Sequence, residues 1–251
     1  MSTVAFPQLM SDMRRVLRAA LGVIGPAFVA TGVLLATLSA TLSATVNAQS
    51  SNYPAMQTPR LVEREYNFMA ASASRAGTSV VFQWREALQG QWQFGFDGGL
   101  TSPPGNGGTR MLVGLAFAYQ AARASDDFPF DVAYTVGAGG SLGGGYSVFR
   151  LPVGVVVGHT FELDGPMRLT PFAHPRLSID RCSSCGRTGG DSKLNVDVDV
   201  GVDFTIAPQV SLRLGALLGG SDYIGGSSSV GFSVAWTPKG LRKPDGRRGV
   251  R

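Results

Sequence analysis

From Ser192 to Ile206 the chain reads SKLNVDVDVGVDFTI. Leu194, Val196, Val198, Val200, Val202 and Phe204 fall on one parity, and Asn195, Asp197, Asp199, Gly201, Asp203 and Thr205 on the other. Successive Cβ atoms of a strand point to opposite faces, so this period of two predicts a strand; a helix would scatter both sets round its surface. The same alternation recurs elsewhere. Trp92, Phe94 and Phe96 oppose Gln91, Gln93, Gly95 and Asp97, and Met111, Val113, Leu115, Phe117 and Tyr119 oppose Leu112, Gly114, Ala116, Ala118 and Gln120. Val132, Tyr134 and Val136 oppose Asp131, Ala133, Thr135 and Gly137. Phe149, Leu151, Val153, Val155 and Val157 oppose Arg150, Pro152, Gly154, Val156 and Gly158. The last block sets Val230, Phe232, Val234 and Trp236 against Gly231, Ser233 and Ala235. A calcium loop is a competing reading of the aspartates. Such a loop needs a curled backbone, glycine at its sixth position and a distal glutamate, whereas valines separate these carboxylates.

The two faces differ in kind. One carries large aliphatic and aromatic side chains, the other mostly glycine, alanine, serine and charge. A soluble sandwich buries its large apolar face and coats the outside with Lys and Glu. Here the apolar set is too bulky for the inside of a small barrel, while the small and charged set suits a narrow lumen. The expected fold is therefore all-β, an antiparallel up-and-down transmembrane β-barrel over residues 65–237, with ten strands, or eight if the weak first strand EYNFMAASAS and a neighbour are excluded. A secreted soluble β-sandwich that binds a ligand is the alternative. Short connections are expected at residues 87–90, 123–128, 162–166 and 207–209. Glycine-rich ones are expected at 101–109, 140–145, 181–192 and 219–228. A tight link at Arg75, Ala76 and Gly77 breaks the alternation of lengths.

The ends refine this picture. Arg14, Arg15 and Arg18 precede an apolar run from Ala19 to about Leu38, and Val46 and Ala48 stand at the −3 and −1 positions of a cleavage site. Residues 1–48 read as a secretory signal peptide, with Met13 as a possible start, and 49–64 as a linker. The formal charge of +5 belongs to the ends. Residues 65–237 hold eleven Lys and Arg against fourteen Asp and Glu, while 238–251 hold six basic residues against Asp245. A basic leader and a basic disordered tail give no nucleic-acid-binding surface.

Candidate chemistry lies on the inward parity. If Ala207, Pro208 and Gln209 form a three-residue turn, Ile206 pairs with Val210, Thr205 with Ser211, and Asp203 with Arg213. Each charge of that pair offsets the other's desolvation. Arg85, Arg150, Arg176 and His174 are further inward groups, set against Asp97, Asp197 and Asp199; together they predict a charge-filled lumen. Trp84, Trp92 and Trp236 all fall at the short-turn rim, the arrangement of an interfacial aromatic girdle. Cys182 and Cys185 form a CxxC with no second CxxC to complete a zinc site and no surrounding βαβ pattern. A loop-closing disulfide is expected. His159 is followed by Thr160 and Phe161, His174 stands beside Pro175, and no G-x-S-x-G elbow occurs, so no catalytic, cofactor-binding or metal residues are assigned.

LPVGVVVGHTF, LTPFAHPRLSIDR, VDVDVGVDFTI, VSLRLGAL and SVGFSVAW follow the leader in this order. Together they resemble the small bacterial outer-membrane β-barrel, porin-like family. The resemblance implies residence in the bacterial outer membrane among its lipids and dependence on the barrel-assembly machinery. Trp236 departs from the terminal aromatic residue common in that family, because 15 residues follow it. The expected role is an envelope structural or surface protein with a charged lumen. A narrow porin-like channel is the alternative, and a lipid A-modifying enzyme a more distant one.

Overall fold

The computed structural model describes residues 53–73, 77–88, 90–102, 108–143, 146–186, 189–219 and 228–238. The expected leader, the Arg75–Ala76 link and most of the basic tail lie outside them. Eleven strands form: β1 (Arg64–Ala73), β2 (Gly77–Ala87), β3 (Trp92–Ser102), β4 (Arg110–Ala122), β5 (Asp131–Gly143), β6 (Tyr146–Gly158), β7 (Phe161–Glu162), β8 (Arg168–Gly186), β9 (Gly189–Ala207), β10 (Val210–Gly219) and β11 (Ser229–Trp236). Apart from β6 and β7, neighbours in sequence pair antiparallel; β1 also pairs with β11, and β6 with β8. The sheet therefore closes on itself. β7 extends the β6 side of the wall: the β6–β8 ladder runs to Gly158 opposite Phe172, and resumes with Phe161 opposite Leu169. The gap faces Pro171, which has no N–H to give; its carbonyl still accepts from His159 N at 3.3 Å. Counting β6 and β7 as one wall position gives ten strands.

The alternation behaves as its chemistry requires. Leu194 and Val196 are 70% and 64% exposed, whereas Asp197 and Asp199 are 0% and 1% exposed. Phe68, Val80, Leu100, Leu115, Tyr134, Leu151, Leu214 and Phe232 likewise face outward. Gln83, Arg85, Gln93, Gln120, Arg150, Ser178 and Ser233 are buried inside. An apolar exterior around a polar interior is the polarity of a barrel solvated by hydrocarbon.

Several boundaries depart from expectation. Residues 140–143 and 181–186 are strand, not loop, so β8 and β9 run 19 residues each and the glycine-rich segments shrink to their tips. Glycine misled because it marks turns in sequence, yet along a barrel wall it also relieves crowding inside. The β9–β10 turn is Pro208 and Gln209 alone, and Val210 pairs with Ala207 rather than Ile206. A register shift between Val210 and Ser211 then restores Thr205 opposite Ser211 and Asp203 opposite Arg213. The bulge absorbs the extra residue and rescues the expected pairing. At the other rim-facing turns Gly90 (φ 76°) and Gly165 (φ 67°) adopt left-handed backbone that favours glycine.

The largest departure concerns the expected linker. Residues 53–63 fold back into the barrel: Met56 and Leu61 are buried, each within an apolar cluster of inward wall residues.

Placing arginine at Val198, on the outer face, should destabilise the barrel by about 2–4 kcal/mol in bilayers. Refolding into lipid vesicles measures it. Single cysteines at 196, 197, 198 and 199 should react with a lipid-phase probe at the even positions only; the reverse alternation would invert the wall.

Candidate functional site

The lumen holds the chemistry, and its walls assemble it from neighbouring strands. Arg213 of β10 donates from Nε to Asp203 of β9 at 2.5 Å and from Nη1 and Nη2 to Glu65 of β1 at 2.7 and 2.5 Å. A planar guanidinium suits two carboxylates at once, because its donors lie in a fixed fork. Glu65 was not among the expected residues. Its signal was positional, since β1 and β11 had to meet for the barrel to close and bring it within reach of β10.

A second network spans β6, β8 and β9. Arg150 contacts Asp180 at 2.9 Å and Asp197 at 2.8 Å, while Asn195 donates to the other oxygen of Asp180 at 3.0 Å. Arg176 contacts Asp199 at 2.9 Å. His174 lies 2.8 Å from the Thr135 hydroxyl through Nε2 and 3.4 Å from Asp199 through Nδ1. Gly154 makes room for this group, since a Cβ there would stand 2.7 Å from Arg176 Cγ and 3.0 Å from His174 Nε2. On the opposite wall Arg85 donates to Asp97 at 2.5 Å. The expected inward residues therefore all point into one interior. They form three clusters there: Arg213 with Asp203, the set around Asp197 and Asp199, and Arg85 with Asp97. Asp180 was missed because it was assigned to the edge of a loop.

Thr135, His174 and Asp199 stand in the order hydroxyl, imidazole, carboxylate. Thr135 and Asp199 hold the ring between them. Asp199 is shared between this ring and Arg176. His159 sits on the rim, where Nδ1 meets the Pro129 carbonyl and the ring contacts Phe130 and Phe161. Among the described residues no group of three His, Cys, Asp or Glu side chains is arranged to hold a metal ion.

The segment before β1 threads the space these walls enclose. Gln83 Nε2 donates to Ala55 O (3.1 Å), Gln120 Nε2 to Pro59 O (2.9 Å) and Gln93 Nε2 to Val62 O (2.9 Å). Gln120 Oε1 accepts from Leu61 N at 2.8 Å, and Arg213 Nη1 reaches Met56 O at 3.3 Å. Met56 packs with Met69, Val81 and Leu112, and Leu61 with Ala118, Ala133, Val156 and Phe172. The sequence did carry a trace of this. Leu112 and Val156 sit on the otherwise small and polar parity, where a water-filled lumen gives them nothing to cover. Two cavities lie along the segment. One of about 100 Å³ is lined by Tyr53, Ala55, Gln57 and the Arg85, Arg150 and Arg176 side chains. The other, of about 180 Å³, opens among Thr58–Glu63, Asp203, Thr205 and Ser211. They share no lining residue.

Outside, Trp84, Trp92 and Trp236 occupy one rim of the wall. Tyr66 stacks with Trp236 at 5.6 Å, Trp92 contacts Tyr119 at 5.0 Å, and Trp84 contacts Phe94 at 6.1 Å. Trp84 Nε1 donates to Glu86 at 3.2 Å, and Arg64 holds the same carboxylate at 2.5 Å. Rings with an apolar body and a polar handle suit an interface between water and hydrocarbon. Cys182 is buried and disulfide-bonded, on β8 rather than in a loop; the Cys185 side chain lies outside the described residues.

A closed antiparallel barrel with an apolar coat, an aromatic rim and an ionic interior is a transmembrane β-barrel in architecture. No family model matches the chain, and no curated protein matches it. Among solved structures it is similar to the NanC porin, at 10% identity over 69% of this chain and 100% of that one, with a TM-score of 0.37. Neisserial surface protein A gives 16% identity over 69% and 92%, with a TM-score of 0.29. The outer-membrane protease OmpT from Escherichia coli gives 6% identity over 70% and 96%, with a TM-score of 0.36.

Replacing Arg213 by alanine should leave Glu65 and Asp203 buried together without their cation, at a cost of about 3–5 kcal/mol. Asp203→Asn, which keeps Arg213 on Glu65, should cost only about 1–3 kcal/mol. Urea titration of the folded fraction in detergent micelles compares them, and equal losses would show that Glu65 does not share the cation.

Proposed function

We propose that this protein is a bacterial outer-membrane barrel whose lumen is closed by its own residues, and that it serves the envelope as a structural or surface protein rather than as an open pore. The observation that carries the reading is the occupied interior. Cross-strand ion pairs fill the interior, and residues 53–63 lie along two cavities with no lining residue in common, Tyr53, Ala55 and Gln57 at one and Thr58–Glu63 at the other. A ten-stranded wall encloses little more than its own side chains, so one extended segment suffices to block it. The apolar exterior and the aromatic rim support residence in a membrane, and the leader-like N-terminus supports export to the outer one. The surrounding lipid is then the main partner, and assembly depends on the barrel-insertion machinery.

Membrane fractionation and gel mobility before and after boiling test the location and the fold; a soluble product whose mobility boiling leaves unchanged would overturn both. Planar-bilayer recording tests the role. The native protein should show no sustained unit conductance, and stable steps that change with Arg176→Ala or Asp199→Ala would instead make it a narrow porin-like channel.

A further inference from the structure

The segment Tyr53–Glu63 is held in an unusual way for a piece of a folded core. The wall reads its backbone. Gln83, Gln93 and Gln120 donate to the carbonyls of Ala55, Val62 and Pro59, and Gln120 also accepts from Leu61 N, at 2.8–3.1 Å. Met56, with Tyr53 packed beside it, and Leu61 anchor it in apolar pockets. Met56 enters a slot where a Cβ on Gly215 or Gly231 would stand 3.1 or 3.2 Å from its thioether and methyl. Leu61 enters the second pocket, against Val156 and Phe172. Met56 reaches its slot with φ at 49°, left-handed backbone that a non-glycine residue adopts at a cost.

The charges tell the complementary story. Arg213 has Glu65 and Asp203, Arg85 has Asp97, Arg150 has Asp180 and Asp197, and Arg176 has Asp199. All of these partners belong to the wall. Among the described residues no ion pair joins the wall to residues 53–63. If the segment left, no buried charge would lose its counter-ion; Arg213 would give up its bond to Met56 O (3.3 Å) and Asp97 the one it accepts from the Tyr53 hydroxyl (3.4 Å). The glutamine amides it uncovered would meet water, which satisfies a neutral amide at little cost. A core element whose departure orphaned a buried charge could not leave so easily.

We propose that the inner wall is a binding site for an extended peptide, that Tyr53–Glu63 is its occupant in cis, and that vacating the site joins the two cavities into a conducting path. The site takes a main chain bearing an unbranched apolar side chain, with a second apolar residue five positions on. The inference rests on the reading of the native barrel as closed.

The test uses the full-length protein in planar bilayers. Met56→Asp places a carboxylate in the slot formed by Met69, Val81 and Leu112. It should raise the open fraction by about tenfold or more, the scale of losing one buried apolar anchor. A synthetic peptide of residues 49–63 should close these channels again, and the same peptide carrying Met56→Asp should not. A Met56→Asp protein that stays closed while keeping its heat-dependent gel mobility would overturn the proposal, as would open channels indifferent to the native peptide. Should Met56→Asp fail to fold, the pair Gln93→Ala and Gln120→Ala frees the segment without touching the slot or the ion pairs. In that background a cysteine at position 55 should react about tenfold faster with a water-soluble maleimide than in the parent, and equal rates would sink the idea. Steady conductance of the native protein would instead refute the closed state itself, and so separates the two failures.

Discussion

A sheet that stands in hydrocarbon cannot leave an edge. Each unpaired N–H or C=O there has no water to turn to, so every strand must find a neighbour on both sides. Here that requirement is met by two pairings distant in sequence: β1 with β11, from Tyr66 opposite Trp236 to Ala73 opposite Ser229, and β6 with β8. Even the break at Pro171 obeys it, since the carbonyl that faces the gap still accepts from His159 N. Closure then determines the rest. Once the wall is a cylinder, residue parity alone sorts side chains into an outside and an inside, and a slip by one residue would exchange the two completely. The bulge between Val210 and Ser211 shows how strongly that sorting is held, because the backbone bends to keep Asp203 inside and Phe204 outside.

The inside of a narrow cylinder is itself a demanding place. Seven of its charged groups, Glu65, Arg150, Asp180, Asp197, Asp199, Asp203 and Arg213, are each less than a tenth exposed, as is His174. Isolated, any of them would be costly to bury; as cross-strand neighbours, they offset one another. Arg150 lies opposite Asp180 and Arg213 opposite Asp203 in the ladders themselves, so the register that closes the sheet also delivers these two cations to an anion.

Much of this was legible in the sequence because it depends on period and parity. The strand count, the direction of the valines, the Asp203–Arg213 pair and the rim position of the three tryptophans all follow from alternation plus turn signals. What was not legible depends on closure or on non-periodic chain. Glu65 meets Arg213 only because the first and last strands join. Cys182 was placed in a loop, with Asp180 at its edge, because the glycines that follow look like turn residues, whereas both lie on a 19-residue strand. Residues 53–63 have no periodicity to read, and composition made them a linker. Only the stray apolar residues of the inner parity, Leu112 and Val156 among them, required something inside to cover them.

That last point changes what the inner face is for. A lumen evolved only to be filled could have been filled by the wall's own side chains, with larger residues at the glycines. Instead Gly215 and Gly231 leave a slot, Leu112, Val81 and Met69 line it with apolar surface, and three glutamines present amide groups at the height of a passing backbone. The ion pairs of the interior are complete without the segment, which adds to them only the Met56 carbonyl on Arg213 and the Tyr53 hydroxyl on Asp97. Two physically different kinds of cohesion thus divide the interior. Charge pairing, expensive to break, belongs to the permanent wall. Hydrogen bonds, mostly to neutral amides, and apolar anchors, whose loss breaks no ion pair, belong to the occupant. A strap built into the fold for stability alone would gain from a salt bridge to the wall it crosses, and carboxylates and guanidinium groups stand along its route. Keeping the segment out of that network preserves a wall whose charges remain balanced whether the segment is present or not.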